Sequence, residues 1–447
     1  MAERTLRVRA GALTGGATAV VVCALLGCTS EDQPALSKGG VDLSEIPVPK
    51  ADGPKLGALA DITPIRAQPS PESKQLGYLH AGGRVARSEE PYGDEGCPGG
   101  WYAIRPRGFV CVGAGATTDL GHPTLVAMAL QPKRDAALPY TYARTKKTTP
   151  IFERDPKDAQ RVREVAKLTA RSGAAIVGSW SAKNAEGGTE RLGLMTNGQF
   201  LRAADLRPAE PSAFEGVDLR DSGAELPIGF VVKQGVRGFR VEDSEVDKLG
   251  RIGFHEILPL TGKYRELKPY RYWAVEDGRY VRHRDVTVVR RRHVFPDLAS
   301  GEQKWIDISI ITGTLTLYEG KKPIFTTLVS VGRDRLGDPK LTASTAQGTF
   351  EVIGKHVTAV GFDPKKASEL YDLHDLPWAI ELSSGQLLHG AYWHDRFGIE
   401  HSQGSIELSP ADARRLWEWV DPALPEGWHG VTQPPADGKR TLVVVRK

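Results

Sequence analysis

Residues 304–332 read KWIDISIITGTLTLYEGKKPIFTTLVSVG. Ile306, Ile308 and Ile310 fall at alternate positions, and Leu315 and Leu317 repeat the pattern. An apolar side chain at every second residue is the period of a β-strand with one face on a core. Gly320 supplies a turn before Pro323-Ile324-Phe325. The stretch therefore predicts a run of β-hairpins with half-buried strands. The period changes at SPADARRLWEWVDP, residues 409–422. There Ser409 is placed as an N-cap and Pro410 in the first turn. Ala413, Leu416, Trp417 and Val420 share one face, and Pro422 stops the run. This is the clearest helix in a chain that otherwise reads as mainly β.

Upstream, three segments share one plan of strand, glycine turn and second strand. They are GGWYAIRPRGFVC (Gly99 to Cys111), RLGLMTNGQFLRAADL (Arg191 to Leu206) and YRYWAVEDGRYVRHRDV (Tyr270 to Val286). Asn197-Gly198 and Asp277-Gly278 predict two-residue hairpin turns with both central residues at positive φ. Irregular spacing excludes a solenoid. Trp101 and Tyr102 read as barrel core more readily than as ligand-facing aromatics. Arg279, Arg282, Arg284 and Arg290 to Arg292 cluster ahead of a linker. They read either as a contact for an acidic envelope polymer or, more simply, as solvated strand positions. The boundaries that follow are 56–113 for a first unit, 114–138 for a linker, 139–300 for a β-rich middle of one or two related modules, and 301–447 for the last domain.

The 447 residues are 40% apolar and 26% charged, a globular composition that suits about three domains. The 49 glycines and 30 prolines imply many turns. A net charge of +4 does not by itself indicate a nucleic-acid partner, and none is expected. Arg4, Arg7 and Arg9 precede an uncharged stretch from Ala10 to Gly27, the pattern of a secretory signal in residues 1–27. It ends in Leu25-Leu26-Gly27-Cys28, which resembles a bacterial lipobox. That resemblance implies a lipidated Cys28, a tether over 28–55 and membrane attachment in the cell envelope. Thr29 stands where an Asp would resemble an inner-membrane retention signal, so the periplasmic side of an outer membrane is expected. The competing reading is an uncleaved anchor helix, for which the stretch is short. Cys97 and Cys111 remain as a pair. A disulfide is favoured over a metal or redox pair because no CxxC or nearby His accompanies them.

Residues 56–113 resemble a bacterial Src-homology-3-like module through LGYLHAGGRVAR and GGWYAIRPRGFV. The C-terminal stretch resembles the L,D-transpeptidase catalytic domain of YkuD type. The resemblance rests on the opening strands, VSVG, TAQGTF, LLHGAYWHDRFG, SQGSIEL and SPADA, in that order. It implies peptidoglycan stem peptides as partners and a cysteine nucleophile that forms a thioester, with a histidine base and no cofactor. Carbapenems acylate that cysteine in the family. Carried over by position, His389 matches the base, Gly390 its neighbour, and Ser402 and Gly404 the Ser and Gly of the terminal motif. Gln403 stands at the usual His, Ser405 at the nucleophilic Cys, Glu407 at the usual Arg or Asn, and Ala346 at the usual Pro. Ser405 lacks the readily formed thiolate. A carboxylate at 407 opposes charge build-up on an oxyanion. The resemblance thus implies an impaired enzyme. The alternatives are acyl transfer by Ser405 with His389, oriented by Glu400, Glu407 or Asp395, and a non-catalytic interaction scaffold. His389, His394 and His401 lie close in sequence, but without a known ligand spacing no metal site is assigned.

Overall fold

The alternating stretch forms three antiparallel strands, Lys304–Ser309, Thr314–Glu319 and Lys322–Leu328. The computed structural model describes residues 46–183, 188–359, 372–432, 438 and 440–447. The export segment, Cys28 and most of the tether lie outside the described residues. The three strands are buried on both faces, not half-buried as their period predicts. Ile306, Ile308, Leu315 and Leu317 face the domain core. On the opposite face Trp305 stacks on Tyr318 at 4.4 Å, and Asp307 pairs with Arg292 and Arg446. Chain from residues 290–299 covers this face. A cover supplied from elsewhere in the chain leaves no mark on the local period.

Lys304–Ser309 runs parallel to Leu442–Arg446, which pairs with the start of the long strand Gly348–Ala359. The remainder of that strand pairs with Leu376–Leu382. Leu387–Gly390 follows, and then Ile406–Leu408 in parallel register. One strand thus serves two sheets. Trp378, Leu388 and Ile406 pack with Leu416 and Trp417 of the helix Pro410–Trp419 in a single core. The helix starts as its sequence predicts: Ser409 Oγ accepts from the Asp412 N–H at 3.3 Å. Full burial of Leu416 contributes about 1.5–3 kcal/mol.

Three seven-stranded modules precede this domain, with first strands Lys55–Ala58, Thr141–Thr145 and Ile228–Val231. In the second and third, the strands lie in the order third, second, sixth, fifth, fourth, first, seventh. The first module has the same order in two sheets, linked where Arg87 bridges Ile104. Its last strand, Ala116–Thr117, lies beyond residue 113. Trp101 is buried, and Arg87 lies over the half-buried Tyr102 ring. Cys97 and Cys111 form a disulfide with Cα atoms 5.6 Å apart.

The hairpins at Asn197-Gly198 and Asp277-Gly278 differ from the predicted turn. Only the glycines take positive φ, at +82° and +86°. In each, two backbone bonds close a three-residue loop: Met195 to Gln199 and Gly198 to Met195 in one, Val275 to Arg279 and Gly278 to Val275 in the other. This is a type I turn followed by a glycine bulge. Asn197 Oδ1 and Asp277 Oδ1 each accept the N–H two residues on, which holds them at negative φ.

The modules interlock with the last domain. Gly430–Val431 lies between Gly348–Ala359 and Gln75–Leu79. A Cβ at Gly430 would sit 2.2 Å from the Tyr78 ring, so only glycine permits this approach. Asp375 accepts from Thr196 Oγ1 at 2.7 Å, and Val217–Asp218 extends the edge of Lys322–Leu328.

Candidate active site

Parallel pairing of Leu387–Gly390 with Ile406–Leu408 sets His389 opposite Glu407 in register. Ser405 immediately precedes the second strand and is half-buried. Its turn is fixed by neighbours. Ser402 Oγ donates to the Ser405 carbonyl at 2.5 Å and accepts from the Gly404 N–H at 3.1 Å. Gly404 has φ +114°, a conformation that excludes most side chains, while Gln403 points to solvent.

The Gly404 carbonyl accepts from Thr345 Oγ1 at 3.1 Å and Gln386 Nε2 at 2.8 Å. Thr345 Oγ1 also accepts from the Gly332 N–H at 2.8 Å, so the TAQGTF run braces the Ser405 turn. Ala346 has a specific use. Its N–H donates to Gln386 Oε1 at 3.1 Å, a bond that proline cannot make. Gln386 carried no sequence signal. It follows a Ser-Gly turn, and its role depends on a partner 40 residues away.

His389 Nδ1 lies 3.2 Å from the Gly390 carbonyl. A carbonyl only accepts, so Nδ1 carries the proton and Nε2 the lone pair. Burial lowers the pKa of this imidazole; the Glu407 charge works in the opposite direction. The ring is thus a neutral base. The nearest aromatic neighbour recorded for it is Trp393, at 5.8 Å between centroids.

Glu407 has a different partner from any expected. Its Oε2 accepts from His394 Nε2 at 2.8 Å, with both side chains 7% exposed. The Arg396 N–H donates to His394 Nδ1 at 3.0 Å, which places the histidine proton on Nε2. His401 meets the His394 ring edge-on at 4.6 Å. The other candidate orienting carboxylates are also engaged. Glu400 pairs with Arg335 at 2.9 Å, and Asp395 contacts Ser212 and His255. Among the described residues no carboxylate hydrogen-bonds His389, and its Nδ1 faces the Gly390 carbonyl. Among the described residues, Ser405 Oγ makes no hydrogen bond and no cluster of His, Cys, Asp or Glu fits a metal.

The site therefore offers a neutral imidazole base and a hydroxyl, with no hydrogen bond between them among the described residues. A buried carboxylate stands beside them, held by a second histidine. Serine at position 405 supplies a hydroxyl and no thiolate.

Residues 303–445 match the YkuD family, described as the L,D-transpeptidase catalytic domain. No curated protein matches the chain. Solved structures that it resembles include an L,D-transpeptidase from Stackebrandtia nassauensis, at 22% identity over 33% of this chain and 56% of that one, with a TM-score of 0.23. Another, residues 123–326 of an L,D-transpeptidase from Xylanimonas cellulosilytica, is 18% identical over 34% of this chain and 64% of its own, at 0.23. An L,D-transpeptidase from Mycobacterium smegmatis is 17% identical over 54% and 89%, at 0.24. The chain thus spans less than two thirds of the first two of these structures. The ordered motifs, the braced Ser405 turn and the family match converge on one assignment: residues 303–445 form a YkuD-type L,D-transpeptidase catalytic domain.

Proposed function

We propose that this protein is a lipid-anchored component of the bacterial cell envelope whose transpeptidase-type domain binds peptidoglycan stem peptides and is impaired in acyl transfer. The observation that carries the reading is the pairing of Glu407 with His394 beside a Ser405 hydroxyl that has no hydrogen bond to a base. The turn that carries Ser405 keeps its frame through Thr345, Gln386, Ser402 and Gly404 while the nucleophile is weakened. Lipidation of Cys28 and residence on the periplasmic side of an outer membrane belong to the same proposal.

A second reading is favoured by one feature. The His389 tautomer leaves Nε2 as an acceptor, as a general base for Ser405 requires. Incubation with a stem tetrapeptide separates the two. Saturable binding in calorimetry without release of the terminal D-amino acid supports the first. Turnover that disappears in Ser405→Ala assigns the domain to active acyl transfer. Absence of any binding removes both and leaves the interaction scaffold.

A further inference from the structure

The arginines near the end of the third module line a furrow made of four cavities that share lining residues. It starts in a cavity of about 480 Å³ where Arg271, Arg282 and Arg284 surround Tyr270. His283 and Arg284 also line the next cavity, of about 830 Å³, which runs between the strand Val286–Val289 and the strands Lys304–Ser309 and Thr314–Glu319. Arg290, Arg291, Arg292 and Arg446 form its walls, over a floor that includes Ser309, Thr312 and Thr314. Arg291, Arg292 and Tyr318 lead into a third cavity of about 500 Å³. That one shares Phe295 and Lys321 with a fourth of about 570 Å³.

The charge in this furrow is only partly compensated: ten arginine and lysine side chains line the four cavities against four carboxylates, Glu225, Glu266, Asp297 and Asp307, and Glu266 holds Arg271. The carboxylate of the long middle cavity, Asp307, is taken up by Arg292 at 2.8 Å and Arg446 at 2.9 Å. Arg284 and Arg291 contact Asp285 and Glu225 only at 3.8 and 3.6 Å, and both arginines are more than half exposed. Such pairs hold a side chain weakly and leave it open to a ligand. Arg290 is exposed above the Trp273 ring at 5.0 Å, and Arg282 and Arg284 lie 4.2 and 4.7 Å over Tyr270.

We propose that this furrow binds a linear acidic envelope polymer, with carboxylate or phosphate groups along its length. Cavities in series suit an extended chain, where a single small ligand would need one enclosed pocket. A row of cations between low-dielectric walls attracts a polyanion even though the whole chain has a net charge of only +4. The Cys97–Cys111 disulfide indicates an oxidising compartment, which favours an envelope polymer over a nucleic acid. Neither His389 nor Ser405 lines any of the four cavities, so this binding stands apart from the stem-peptide reading.

The test uses the soluble chain from residue 29 onward, with fluorescence anisotropy at physiological salt. The probes are an alginate oligomer for carboxylates, a poly(glycerol phosphate) of equal charge, a neutral dextran oligomer and single-stranded oligothymidylate. Saturable binding of alginate or poly(glycerol phosphate), weakened by added salt and absent for dextran, is expected. Whichever binds tighter identifies carboxylate or phosphate as the source. The triple reversal Arg284→Glu, Arg290→Glu, Arg291→Glu should weaken binding by about tenfold or more. The reversal Arg161→Glu, Arg163→Glu, Lys167→Glu, on an exposed strand of the second module, should leave it unchanged. Equal loss in both triples, no binding of either acidic polymer, binding of dextran, or tighter binding of the oligonucleotide overturns the proposal.

Discussion

Glu407 shows how much of a site one residue can conceal. Its departure from the family motif is visible in sequence, and alone it reads as a charge set against catalysis. Its partner is not visible, because His394 lies on a separate loop and reaches it only through the fold. The pair bears on how the family's residue could be restored at this position. Glu407→Arg would place a cation against a buried His394 N–H and remove that donor's acceptor. We expect a loss of about 2–4 kcal/mol, measured by urea unfolding. Glu407→Gln keeps an acceptor for His394 Nε2 and should cost about 1 kcal/mol or less. Ser405→Cys with Glu407→Gln is therefore the productive combination. Mass spectrometry should find a carbapenem adduct at residue 405 in that double variant and none in the native chain. An unlabelled double variant that unfolds like native protein would mean that the cleft, and not the nucleophile, is at fault.

Among the elements, the helix Pro410–Trp419 was fully legible because its cap, proline and apolar face are all local. The glycine hairpins were legible as turns but not by type. Asn and Asp can take positive φ, yet here their side chains bind backbone and keep them out of it. Lys355 was not legible at all. It sits in the long strand Gly348–Ala359, 2% exposed, and its Nζ donates to the Val420 carbonyl at the end of the helix, 4.6 Å from the centroid of the Trp417 ring. Burial lowers its pKa to about 7. Between that value and the ordinary 10.5, the unfolded chain holds a proton that the native one has released. Stability from this site therefore rises with pH across that window. Lys355→Met should be about 1–3 kcal/mol more stable than native protein at pH 7, with the advantage shrinking at pH 10. Urea midpoints at the two pH values check this; a gap that stays constant or widens with pH would remove the buried-charge account.

At the scale of the molecule, three modules share one strand order while their sequences share little beyond a hairpin. Strand order is set by which strands find partners, and many apolar sequences satisfy it, so the repeat showed only where glycine was required. The seam between the first module and the catalytic domain was silent for another reason: Gly430–Val431 is too short to display a period. That seam is lined with imidazoles. His429 is buried, takes an edge-to-face contact with His80 at 4.5 Å and meets Thr358 Oγ1 at 2.9 Å. Tyr78, His356 and Arg134 complete its surroundings. Burial holds its pKa well below 6.5, with His80, His356 and Arg134 acting in the same direction. The native ring stays neutral while an unfolded one takes up a proton, so this contribution is full above pH 6.5 and is lost as pH falls. Asp375 and Asp412 act with the opposite sign. Burial raises both to about 6, so the native state gains relative to the unfolded one as pH falls from there toward 3.8. The histidine loss begins as pH falls through 6.5. Below that the two carboxyls offset part of it, while His80, His255, His374 and His389 add to it because burial lowers them as well. Native protein should therefore be less stable at pH 5.5 than at pH 7.5. His429→Gln keeps a partner for Thr358 and cannot titrate, so its stability should fall less across the same interval. Unfolding curves for the two proteins at both pH values decide the matter, and equal losses would show that the seam does not carry the pH dependence.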